Sequence, residues 1–108
     1  MEAIIKLLIL LSISDQELHD KERRYIDKII KGQKLEIDID KALDEINSKF
    51  RDDFDTACKF YLAAVKDEEE RKTTIHQMRE LAAADLIVRD REIKFLELTK
   101  QIWKQDSL

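Results

Sequence analysis

Apolar side chains recur along this chain at intervals of three and four, the spacing that places them on one face of an α-helix. From Glu2 to Ser14 they run almost without a break, through Ile4, Ile5, Leu7, Leu8, Ile9, Leu10, Leu11 and Ile13. A helix apolar nearly all round is buried on most sides, so this first helix is predicted to lie at the centre. A second is predicted over about Asp20–Lys31, with Tyr25, Ile26, Ile29 and Ile30 as its stripe and Gly32 as the residue that stops it. Gln33 to Asp40 reads as a linker in which Asp38 or Asp40 caps the third helix, and that helix turns Ala42, Leu43, Ile46 and Phe50 inward. A fourth helix over about Asp52–Lys66 carries Phe54, Ala57, Cys58, Tyr61 and Val65 on its inner face. Asp67 opens the fifth as its N-cap. That helix runs to about Ala84 and buries Ile75, Met78, Leu81 and Ala82, with Ala83 beside them. The sixth, about Asp90–Lys104, is predicted to bury Ile93, Leu96, Ile102 and Trp103, with Phe95 and Leu98 on its flanks.

One stretch occurs twice. Ser14-Asp15-Gln16-Glu17-Leu18-His19-Asp20-Lys21-Glu22 is matched, seventy positions later, by Ala84-Asp85-Leu86-Ile87-Val88-Arg89-Asp90-Arg91-Glu92. Asp15 falls in register with Asp85, Asp20 with Asp90, Glu22 with Glu92, Lys21 with Arg91 and Tyr25 with Phe95. An internal repeat constrains the architecture. With the helical spacing and the dominance of helix-forming residues, it points to an all-α fold: a single compact bundle of about six helices, built from two pseudo-repeated helical hairpins. The halves are about 2–32 and 68–105, bridged by helices in 38–66, and the whole of 1–108 is expected to form one domain.

Composition supports this class and narrows the functions. With no proline and one glycine, the chain lacks the turn residues that sheets require. A net charge of −4 sets it apart from proteins that grip a phosphate backbone, so no nucleic-acid partner is expected. The basic face of the second helix (Lys21, Arg23, Arg24, Lys28 and Lys31) reads as a solvated surface. The lone Cys58 cannot form an internal disulfide, which fits a reducing, cytoplasmic location. The apolar opening contains Lys6 and has no basic start. It is also too short to cross a bilayer, so no direct membrane insertion is expected. There is no pair of Glu-x-x-His motifs, no phosphate-binding glycine loop and no Ser-His-Asp or Cys-His set. The chain therefore reads as non-enzymatic.

The chemistry that remains lies in the repeated turn. Asp15 and Asp85 close their helices, where unpaired carbonyls already carry partial negative charge, so an acid there needs an offset. Glu22 and Glu92 fall in the first turn of the next helix, where an acid is favourable. Two readings stay open. In one, the aspartates turn onto backbone N–H groups of the short loop and fix the hairpin, while Leu18 and Val88 plug it into the core. In the other, helix-end carbonyls, an aspartate and a glutamate hold a cation. All-oxygen donors suit Ca²⁺ or Mg²⁺ better than Zn²⁺.

An aspartate closing a helix, a hydrophobe three residues later and a glutamate seven residues later, twice in a small helical chain, resembles the TerB-like tellurite-resistance family. The likeness covers Leu10 to Ile30 and Glu70 to Trp103. It implies a helical bundle whose acids bind metal, and it marks Asp15, Glu22, Asp85 and Glu92 as the ligands. The family usually has Ala-Asp-Gly in this turn, whereas here Gln16 and Leu86 stand in the glycine's place and Ser14 replaces the first alanine. A left-handed conformation at a non-glycine residue costs about 1–2 kcal/mol. The resemblance further implies a stress-response module that docks onto other proteins; the alternative is a metal-free helical adaptor. A two-fold homodimer through an apolar helix face stays open.

Overall fold

The computed structural model describes residues 2–13, 18–51, 53–84, 86–87 and 89–104. Among them stand six helices: α1 (Glu2–Ser12), α2 (Asp20–Gly32), α3 (Ile39–Phe50), α4 (Phe54–Ala64), α5 (Glu68–Ala83) and α6 (Arg89–Trp103). No strand occurs among the described residues, and the chain is all-α. Its Cα radius of gyration, 12.6 Å, is that of a well-packed chain of this size.

α1 is the hub. It packs against each of the other five helices, and every residue from Leu7 to Ile13 is buried. Fully burying one such Leu or Ile contributes about 1.5–3 kcal/mol, so this segment alone accounts for a large part of the core. The one polar group in the run, Ser12 Oγ, donates to the carbonyl of Leu8 at 2.8 Å and so enters the core satisfied. α4 is the second axis, packing on α1, α3 and α6 through Phe54, Ala57, Cys58, Tyr61 and Leu62. Among the described residues no helix is long and apolar enough to cross a membrane.

Three helices start at an aspartate. The Asp38 carboxylate accepts the amides of Asp40 (2.9 Å) and Lys41 (3.3 Å). Asp53 accepts from Thr56 N (3.1 Å) and Thr56 Oγ1 (2.7 Å), and Asp67 accepts from Glu69 N (2.9 Å). Each satisfies amide donors that the first helical turn leaves unpaired. α2 differs, because the exposed His19 takes its N-cap position without a capping side-chain hydrogen bond.

Two expectations change. Gly32 does not stop α2; it is that helix's last residue and has no positive φ. The left-handed position is Lys34, with φ 55°. Around it the Leu35 amide returns to the Ile30 carbonyl (3.0 Å) and the Lys34 amide to Lys31 (3.1 Å), the paired closure of a Schellman end. The inner face of α6 is also rotated. Phe95, Leu98, Thr99 and Trp103 are buried, Leu96 and Ile102 half-buried, and Ile93 is exposed. At 3.6 residues per turn, Ile93 stands about 160° around the helix from Phe95, so both cannot face α4. On α5, Ala83 is exposed, and Thr74 joins Met78 and Leu81 in the core. The second helix pair also packs unlike the first: α1 and α2 lie on each other, whereas α6 lies chiefly on α4 and α5 on α1.

Candidate functional site

Of the four acids expected to hold a cation, Asp15 and Asp85 lie outside the described residues, as do Ser14, Gln16 and Val88. Glu22 and Glu92 are half-buried in the first turns of α2 and α6, while Asp20 and Asp90 are exposed. Leu18 is buried, as expected of a plug. Leu86, which stands where the family has glycine, is half-buried.

The residue that organises this region is Arg91. Its Nη1 donates to the Leu10 carbonyl at 2.8 Å, and its guanidinium lies 5.3 Å from the centroid of the Phe54 ring. One side chain therefore joins the first turn of α6 to the last turn of α1 and the first turn of α4. α1 has no basic residue in its own last turn, so the partial negative charge of its carbonyl end is met from another helix. The last turn of α1 leads into the first acidic turn, and the first turn of α6 follows the second. Arg91 thus ties together the flanks of the two repeats. Its register with Lys21 was visible in the sequence; its reach to α1 was not, because nothing local specifies it.

Several backbone oxygens in the helix turns before the two acidic turns accept hydrogen bonds. At the end of α1 the carbonyls of Leu8, Ile9 and Leu10 accept from Ser12 Oγ, Ile13 N and Arg91. At the end of α5 the carbonyls of Glu80 and Leu81 accept from the amides of Ala84 and Leu86. Among the described residues no group of three or more His, Cys, Asp or Glu is placed to hold a metal ion; the expected set draws on Asp15 and Asp85, which lie outside them.

Two polar clusters elsewhere escaped the sequence reading. Lys6 Nζ, its side chain 14% exposed, lies 2.8 Å from Glu45 and 3.3 Å from Glu2. Tyr61 Oη donates to Glu45 at 2.7 Å. Hydrogen bonds from Lys6 and then Tyr61 hold the Glu45 carboxyl below its ordinary range, while burial and Glu45 push the Tyr61 hydroxyl up. Burial works to lower the Lys6 ammonium, but the bonds to Glu45 and Glu2 outweigh it and leave it raised. The second cluster centres on Glu80, which accepts from Tyr25 Oη (2.6 Å) and lies 3.0 Å from His76 Nε2, joining α2 to α5. Cys58 is buried, and burial pushes its thiol up to about 12, as befits a packing residue rather than a nucleophile.

These features define an all-helical bundle wound round an apolar first helix, with an arginine of the last helix closing that helix's carbonyl end. The family described as "Tellurite resistance protein TerB" matches residues 1–105. The chain belongs to the TerB family and is a tellurite-resistance-type protein. No curated protein and no solved structure matches it.

Proposed function

We propose that the protein is a non-enzymatic, cytoplasmic stress-response module that binds a divalent cation at its acidic turns and docks onto partner proteins. The observation that carries this reading is the Arg91–Leu10 bond, which holds the start of α6 against the end of α1. Glu22 and Glu92 stand in the first turns of α2 and α6, and Arg91, next to Glu92 in the chain, lies on the end of α1, the helix that precedes the first acidic turn. With helix-end carbonyls and carboxylates as all-oxygen donors, Ca²⁺ or Mg²⁺ is favoured over Zn²⁺.

The test is a melting curve with Ca²⁺, Mg²⁺, Mn²⁺ and Zn²⁺ in turn. A ligand at about a hundredfold excess over its Kd stabilises the folded state by about 2.7 kcal/mol. The expected result is a rise in Tm with Ca²⁺ or Mg²⁺ that Asp15→Asn and Asp85→Asn each reduce. If none of the four ions moves Tm, the metal-free adaptor stands instead.

A further inference from the structure

We propose that the outward face of α4, bounded by Phe60 and Lys59, docks an acidic amphipathic helix of a partner protein. α4 is covered on three sides, by α1, α3 and α6. Its fourth side carries Thr56, Lys59, Phe60 and Ala63, all exposed. Phe60 is 48% exposed, and its ring packs 5.5 Å from that of Phe50 and 5.3 Å from that of Tyr61. Lys49 Nζ sits over its face at 4.1 Å. A packed aromatic ring at the surface is the kind of anchor that dominates binding interfaces, because little side-chain freedom is lost on contact. Thr56 and Ala63 form a low floor beside it, over which another helix can approach closely.

Charge identifies the occupant. In a chain of net charge −4, this face is flanked by two lysines, Lys49 and Lys59. Neither forms an ion pair among the described residues, although Lys49 lies over the Phe50 and Phe60 rings and Lys59 is attracted to Asp53 at the start of α4. The acid of α4, Asp55, is engaged by Lys94 at 3.3 Å, on the α6 side. A helix with carboxylates along both edges of an apolar stripe complements this arrangement, whereas a basic or phosphate-binding segment does not. A second copy of the chain fits less well, since a two-fold pairing of this face would bring the same lysines of both copies together.

This inference rests on the docking half of the proposed function and not on its cation half, so it is tested in EDTA. The probe is a synthetic amphipathic peptide, glutamate-rich with one tryptophan on its apolar face, compared with a version carrying lysine for each glutamate. The acidic peptide is expected to shift the NMR signals of Phe60, Lys49 and Lys59, and to bind more weakly as salt is raised. Phe60→Ala and Lys59→Glu are each expected to weaken it about tenfold or more, the threshold of a hot-spot effect; Lys59→Glu disturbs no packing. The idea is overturned if the lysine peptide binds equally, if the shifts map elsewhere, or if sedimentation shows this face pairing two copies through Phe60. A flat metal titration alongside peptide binding would remove the cation reading and leave this one.

Discussion

After the first acidic turn, α2 lies on α1 and presents Lys21 to solvent. After the second, α6 lies chiefly on α4 and places the residue in the same register, Arg91, on the carbonyl end of α1. The next matching pair diverges too. Tyr25 is half-buried with its hydroxyl on Glu80, whereas Phe95 is wholly buried. Matching letters thus stand in different surroundings, and the reason is topological. The bundle has one central apolar helix, and a helix has one carbonyl end. Once Arg91 occupies that end, its counterpart Lys21 has no equivalent task.

The largest expected effect tests the buried pair. Phe95→Ala removes a fully enclosed ring and should cost about 3–5 kcal/mol. Tyr25→Ala, at a half-buried position, should cost less, about 1.5–2.5 kcal/mol, within the usual range of single substitutions. Urea unfolding of the two variants measures both. Equal losses would mean that the halves are equivalent after all and that the contrast in burial decides nothing.

The basic pair comes next. Arg91→Ala is expected to cost about 1.5–3 kcal/mol, the range for a hydrogen bond made by a charged donor. Lys21→Ala should stay within about 0.5 kcal/mol, as exposed substitutions do. Arg91→Lys sharpens the comparison. An ammonium is a point charge and lacks the planar fork that lets a guanidinium hold a carbonyl while lying near a ring. It should therefore recover only part of the loss. Full recovery would reduce Arg91 to its charge alone.

The fold was legible in the sequence wherever one segment settles the matter. The unbroken run from Leu7 to Leu11 marked the hub, and Asp38 and Asp67 marked helix starts. These features act over one or two turns, where spacing and capping chemistry are sufficient. What required the folded chain was any feature decided by a distant partner. The face of α6 was misjudged because Ile93, Leu96 and Phe95 offer two overlapping stripes, and only α4 chooses between them. Gly32 drew attention as a stop because glycine is the usual left-handed residue, yet the closure falls two positions later at Lys34. Added at Gly32, a Cβ would meet no atom within 4 Å. At the candidate site the acids were legible by repetition. The bond from Arg91 to Leu10, 81 positions apart, was not, because no local pattern encodes which helix end a guanidinium will find.

The smallest effect bears on the hydroxyl that separates Tyr25 from Phe95. Tyr25→Phe gives the first half the residue of the second and removes the bond to Glu80, at an expected cost of about 0.5–1.5 kcal/mol near neutrality. Its pH dependence distinguishes a lost hydrogen bond from altered packing. Burial and then Glu80 raise the Tyr25 hydroxyl from its ordinary 10.0 to about 12. A group whose folded value lies above its unfolded one stabilises fully below the unfolded value and loses that stability as pH rises through the folded one. The gap between wild type and Tyr25→Phe should therefore hold up to about pH 10 and close towards pH 12. In acid the direction reverses. The bond from Tyr25, more than any other influence, holds Glu80 below its ordinary 4.5. That contribution is complete above the ordinary value and fades as pH falls through the lowered one. The expected gap is a plateau bounded on both sides, measured by urea unfolding at each pH. A gap that stays constant from acid to alkali would mean that the hydroxyl contributes nothing, and that burial alone separates the two aromatic positions.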